Sequence, residues 1–351
     1  MPYGSVNADV ITTSTAGGVL GAGNASIMKN RLINSDMRID QRNAGASITP
    51  TSGTCTLDRW YPSLTQASKI TIQQNAGSVT PPVGFTNYLG VTSSSAYSVG
   101  SGDFFLIGQN IEGYNIADLN WGSANAKTVT VSFWVRSSLT GTFSGAINNN
   151  AYDRSYVFSY TISAANTWEQ KSVTIAGDTT GTWLTTNGLG LRMNLSLGSG
   201  STYNTTANSW QAGTYVGVTG TTSVVGTNGA TFYITGVQLE VGSSATGFEY
   251  VNYQTSLANC QRYYEQTSSG FANPMWSGNA TNGVTYYANA VFLVQKRAAP
   301  TISLTSVSNS GFPTTNSSGN ITTTSFYEAR TANSTANGSY FASSFTASAE
   351  L

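Results

Sequence analysis

The chain has 351 residues, with 15 basic and 15 acidic side chains in balance and no histidine. A neutral chain without a run of Lys and Arg excludes a nucleic-acid partner, and the lack of histidine excludes Ser-His-Asp, Cys-His and His-ligated metal chemistry. Only 9% of residues are charged, against roughly 25% in an average globular chain, while 37 glycines, 19 tyrosines and 39% hydrophobic residues describe a folded chain with uncharged polar loops.

Residues 1–30, with GGVLGAGNAS towards their end, are small, Gly-rich and aperiodic, and predict an extended N-terminal arm. The opening MPYGSVNADV lacks the basic-then-apolar layout of a signal peptide, so synthesis in a cytoplasm is expected, with Cys55 and Cys260 as reduced, buried thiols. No stretch approaches the run of about 18 apolar residues that spans a membrane, so membrane insertion is not expected.

From residue 31 to 254, short apolar-patterned runs alternate with turn-rich loops, which predicts a jelly-roll β-sandwich. In TVTVSFWVRS, Val129, Val131, Phe133 and Val135 share one face, while Thr130, Ser132, Trp134 and Arg136 share the other. LGLRMNLSLG repeats the design, with Leu189, Leu191, Met193, Leu195 and Leu197 opposite Arg192, Asn194 and Ser196. Two strands of this kind predict a single antiparallel sheet covered on one side. SYVFSYTI from Ser155, WEQKSVTI from Trp168 and TFYITGVQLEV from Thr231 are further strands.

A linking helix is expected over residues 255–265, capped by Thr255 or Ser256, with Leu257, Cys260, Gln261 and Tyr264 at i, i+3, i+4, i+7. Residues 266–351 then predict a smaller C-terminal β domain, from VTYYANAVFLVQ through KRAAPTISL to SYFASSFTASAEL. The fold class is therefore all-β.

Without histidine, catalysis falls to carboxylates, and no Asp or Glu pair forms the local motif a glycosidase needs. Asp58–Arg59 and Asp153–Arg154 have the character of ion pairs or turns, and Asp36 and Glu240 that of hydrogen-bonded or exposed acids rather than calcium ligands. No catalytic residue, metal or cofactor is expected. Aromatic faces pack on sugar C–H groups while amides and guanidinium groups bond the hydroxyls. Trp134, Arg136, Arg192 and Asn194 are accordingly the candidate carbohydrate-binding residues, on the non-core face of one sheet; the alternative for Trp134 is packing under a loop or against a subunit. Trp183, Trp210 and Trp276, in loop-like stretches, stand between the same two fates.

NRLINSDMRIDQRNAG followed by LDRWY, FYITGVQLEVGSSATGFEY and LANCQRYYEQ resembles, in order and spacing, a sandwich module of phage tail-fibre and other virion proteins. The pattern is also similar to carbohydrate-binding jelly rolls, and KRAAPTISL through SYFASSFTASAEL resembles the small C-terminal β domain of such phage proteins. The resemblance implies a non-enzymatic virion structural protein, commonly a homotrimer, attached to other virion proteins through residues 1–30. As a tail fibre or receptor-binding protein it would contact host cell-surface glycan; a capsid-decorating or head-fibre protein, or a baseplate-attached adaptor, is built from the same module, and the sequence leaves these open.

Overall fold

The computed structural model describes residues 29–267 and 273–351, preceded by a two-residue antiparallel ladder between Ile11–Thr12 and Val19–Leu20. The arm expected over residues 1–30 thus lies almost wholly outside the described residues. The described residues form antiparallel sheets, apart from one two-residue parallel pair, with one α-helix among them.

The first group of strands is β1 (Trp60–Leu64), β2 (Ile70–Gln74), β3 (Leu89–Ser93), β4 (Phe104–Glu112), β5 (Val129–Ser137), β6 (Gly141–Asn148), β7 (Arg154–Ile162), β8 (Glu169–Ile175), β9 (Leu189–Ser199), β10 (Ser209–Ala212) and β11 (Thr231–Val241). They make a five-stranded sheet, β8-β5-β11-β3-β2, and a six-stranded sheet, β10-β7-β6-β9-β4-β1. The chain crosses repeatedly between the two, as a jelly roll does. Pro62 is accommodated because β1 is an edge strand, where a missing N–H breaks no ladder.

Alternation drives this layering. Val129, Val131, Phe133 and Val135 of β5 are fully buried, as are Leu191, Met193, Leu195 and Leu197 of β9, and all belong to one core between the sheets. Each such side chain contributes about 1.5–3 kcal/mol through burial. The expectation that β5 and β9 share a sheet is corrected: β5 pairs with β8 and β11, whereas β9 pairs with β4 and β6. A period of two fixes which residues face inward, but not which strand lies alongside.

The outer face of the six-stranded sheet is covered too. Between β9 and β11 the chain passes over β6, β7 and β9 as a strap, with Asn204–Thr205 pairing in parallel with Gly217–Val218. The Tyr215 carbonyl accepts from Asn148 Nδ2 at 2.9 Å, the Gly213 carbonyl from the Ser155 hydroxyl at 2.5 Å, and Thr222 N–H bonds Thr142 at 2.7 Å. Gly200 starts the strap where a Cβ would lie 2.0 Å from the Gly100 carbonyl oxygen.

Helix α1 spans Tyr253–Gln261. The expected cap was misplaced: Asn252 is the N-cap, its side chain accepting from Thr255 N–H at 2.8 Å, and the chain turns back into a strand at Tyr264 rather than continuing as helix to residue 265. Beyond it, β12 (Tyr264–Gln266), β13 (Met275–Ala280), β14 (Thr285–Val291), β15 (Thr301–Ser310), β16 (Ser317–Gly319), β17 (Ser325–Thr331) and β18 (Ala336–Ser348) build two small sheets. β18 is central in one, flanked by β15 on one side and by β12 and β13 on the other; β14-β17-β16 forms the second. Phe312 and Phe341, and separately Phe292, Phe326 and Phe345, fill the space within.

Polar side chains join these sheets to the sandwich. Glu112, at the end of β4, accepts from Arg262 Nε at 2.9 Å and from the Tyr263 hydroxyl at 2.6 Å. Arg59 reaches Glu350 and the Asn110 carbonyl and stacks 3.6 Å above the Tyr263 ring, while Arg42 bridges Asp58 and Glu350 at 2.9 Å each. Cys55 and Cys260 are free and buried.

Candidate functional site

Trp134 and Arg136 stand on the outer face of the five-stranded sheet, both partly exposed. In the ladder Trp134 lies opposite Gln170 of β8 on one side and Thr235 of β11 on the other, and Arg136 lies opposite Tyr233. Arg136 donates from Nε to the Asn166 carbonyl at 2.9 Å, with its guanidinium 5.5 Å from the Tyr233 ring.

Two aromatic groups flank this pair. Tyr88 packs against Trp168 at 5.5 Å and Tyr233 at 5.1 Å between centroids, and Trp168 Nε1 donates to the Thr80 carbonyl. On the other flank β11 bulges at Gly236, whose φ of +60° suits glycine. Phe85 covers that glycine so closely that a Cβ would meet its ring at 2.5 Å. Phe85 in turn packs on Phe248, and Phe248 on Tyr250, each at 5.0 Å; Tyr250 is 61% exposed. Gln170, Ser172 and Thr174 continue the face as exposed neutral groups. A partly exposed indole with a guanidinium, an amide and hydroxyls around it can match the surface of a sugar, apolar on its C–H faces and polar at its rim.

Arg192 and Asn194 are not part of this face; the expectation that all four residues share it is corrected. Both lie on β9 in the opposite sheet, beneath the strap. Asn194 is fully buried, donating to Asn148 Oδ1 at 3.1 Å, and Arg192 bonds the carbonyls of Asn149 and Asn150 at 2.9 and 2.8 Å while lying 4.1 Å from the Tyr152 ring. Their chemistry is spent on fixing the β6–β7 turn.

The remaining tryptophans divide similarly. Trp183 and Trp210 pack with Trp121 at the end of the core, and Trp276 of β13 packs on Phe341 and Phe312. Phe85, Trp168 and Tyr250 were missed from sequence. Gln170, Ser172 and Thr174 of β8 do alternate with the period of Trp168 just before it, which was the available signal, but only the pairing of β8 with β5 brings them beside Trp134.

Every Asp and Glu among the described residues already has a hydrogen-bond or ion-pair partner. Asp58 pairs with Arg42 and Arg59 with Glu350, rather than with each other; Arg154 pairs with Asp178 at 2.7 Å and not with Asp153. Asp36 pairs with Arg38, and Glu240 accepts from Gln238 and Thr246. Burial lifts Asp58 to about 6 against the pull of Arg42, but this acid is 1% exposed and closed to any substrate. Asp103 moves the other way, to about 2, held by the hydroxyls of Tyr97 and Thr65. A perturbed acid inside an ion-pair network is a structural feature as often as a functional one.

No family model and no curated protein sequence matches the chain. Among solved structures, it is similar to the enzymatically active domain of bacteriophage CBA120 tailspike protein 4, at 12% identity and a TM-score of 0.35, over 61% of this chain and 22% of that one. A putative sugar binding protein from Bacteroides thetaiotaomicron aligns at 13% identity and a TM-score of 0.34, over 61% of this chain and all of that one. TmCBM61, solved with β-1,4-galactotriose, aligns at 10% identity and a TM-score of 0.31, over 61% of this chain and 99% of that one.

Proposed function

We propose that the chain is a non-enzymatic structural component of a tailed-phage virion, a tail-fibre or receptor-binding protein that contacts host surface glycan through the outer face of its five-stranded sheet. The observation that carries this reading is the setting of Trp134: a partly exposed indole beside Arg136 and an exposed Gln170, between two aromatic groups. Each carboxylate among the described residues holds at least one hydrogen-bond or ion-pair partner, which supports a binding rather than a hydrolytic role. The virion setting rests on the four sequence blocks and their order.

In this reading residues 1–30 attach to other virion proteins, residues 31–254 present the glycan-contacting face, and residues 266–351 assemble three copies. β15 supports the last point. It is a ten-residue edge strand, TISLTSVSNS, without one charge, the kind of edge that pairs with another chain unless it is blocked. Three weak sites on one particle then act together through avidity.

The test is binding of the purified oligomer to an array of bacterial surface polysaccharides. Trp134→Ala is expected to weaken the bound signals about ten-fold, ~1.4 kcal/mol, with an unchanged melting temperature. Full binding by this variant would remove the sheet face from the account.

A further inference from the structure

A cleft of about 550 Å³ opens between residues 30–36, the stretch Phe248–Asn252 and the side of α1 that carries Thr255 and Asn259. Its size lies within the range of ligand pockets, roughly 300–1,000 Å³. Trp134 is not among its lining residues, whereas Phe248 and Tyr250, which pack with Phe85, are.

Most charges around the cleft are committed: Arg31 to Asp118 at 2.8 Å, Asp36 to Arg38, and Arg262 to Glu112. What is left is a mixture of short-range donors and acceptors. The side-chain amides of Asn115 and Asn259 and the Thr255 hydroxyl have no partner among the described residues, and Asn252 spends only its Oδ1, on the helix cap. Glu249 uses Oε2 to accept from Asn30 N–H at 2.6 Å and keeps Oε1 open. Arg31 also holds a buried Nε–H without an acceptor, a group that costs about 1–3 kcal/mol while unsatisfied.

We infer that this cleft is a second, separate binding site for a short neutral saccharide. The Glu249 Oε1 accepts from a pair of ring hydroxyls, the amides of Asn115 and Asn259 bond the neighbouring oxygens, and the exposed Tyr250 ring packs against a C–H face. Neutral hydroxyls suit the lining because the open amides and the Thr255 hydroxyl each both donate and accept, as a sugar hydroxyl does, whereas an anionic sugar would meet the Glu249 carboxylate. The inference shares its ligand class with the proposed function but places the ligand elsewhere.

The test is saturation-transfer NMR on the full chain with glucose, galactose, mannose, N-acetylglucosamine and their β-1,4-linked dimers. Saturation transfer to at least one of these sugars is expected, with apparent affinity reduced about ten-fold in both Asn259→Ala and Glu249→Gln. Melting temperatures of both variants check that the fold is kept; Asn259 is exposed, so its truncation leaves the core intact. Absence of transfer to every sugar would overturn the site. Transfer that survives both cleft variants and disappears in Trp134→Ala would overturn it as well, while leaving the sheet face standing. Loss of polysaccharide binding on the array with cleft binding retained would instead overturn the proposed function alone.

Discussion

Glu112 is 1% exposed and carries two tasks, closing the end of β4 and holding Arg262 and Tyr263 at the exit of α1. Burial works against its charge, but the Arg262 guanidinium and the Tyr263 hydroxyl hold it below the usual carboxylate range. Glu350 behaves alike: burial opposes its ionisation and Arg59 and Arg42 more than offset it. A carboxylate whose folded value is depressed contributes stability above its unfolded value, near 4.5, and that contribution is lost as pH falls through the folded value. Melting temperature measured from pH 7 down to pH 3 should therefore fall below about pH 4.5, and Glu112→Gln should flatten that fall. At pH 7 the same substitution is expected to cost about 3 kcal/mol, the lower end for breaking a buried pair, because the Arg262 side chain is 32% exposed. A pH profile unaltered by the substitution would remove Glu112 from the junction's stability.

At the scale of elements, the strap decides which sheet face is available. With it in place, Asn110, Asn148 and Asn194 of the six-stranded sheet bond each other, Tyr61 and other chain segments instead of solvent. Gly200→Ala should lift the strap, because its Cβ would meet the Gly100 and Ser101 carbonyls; overpacking of this kind costs roughly 1–3 kcal/mol. Limited proteolysis should then cut between residues 200 and 222 faster than in the parent chain, and an unchanged cleavage rate would count against the strap as described. This element also shows where sequence stops. The inward faces of β5 and β9 were legible, since Val-x-Val-x-Phe and Leu-x-Met-x-Leu leave one choice of buried side. The partner strands were not, because β9 pairs with β4 some 80 residues earlier, and nothing in an aperiodic Ser/Thr/Asn/Gly stretch announces that it will cover Arg192 and Asn194. Trp134 and Arg136 could be placed on an outer face, but not beside Trp168 or Phe85. The helix was visible and its cap was not, because Thr255 and Ser256 lie inside the first turn that Asn252 closes.

For the molecule as a whole, charge is scarce and concentrated where sheets meet: Arg42, Arg59, Glu112, Arg262 and Glu350 tie the sandwich to the C-terminal strands, and Lys296 is buried against Glu265 at 2.5 Å. The outer surfaces are left to Ser, Thr, Asn and aromatic residues, which suit adaptable polar contact with a partner chain or a glycan. The same composition would serve subunit packing that needs no ligand, so the decisive property is glycan recognition by the purified protein itself. The measurement that tests this most directly is adsorption of the purified, sized oligomer to bacterial cells, competed with polysaccharide extracted from their surface. Saturable adsorption that the polysaccharide abolishes is expected; a well-folded protein that adsorbs to no strain, or whose adsorption polysaccharide leaves untouched, would rule out a glycan-contacting face.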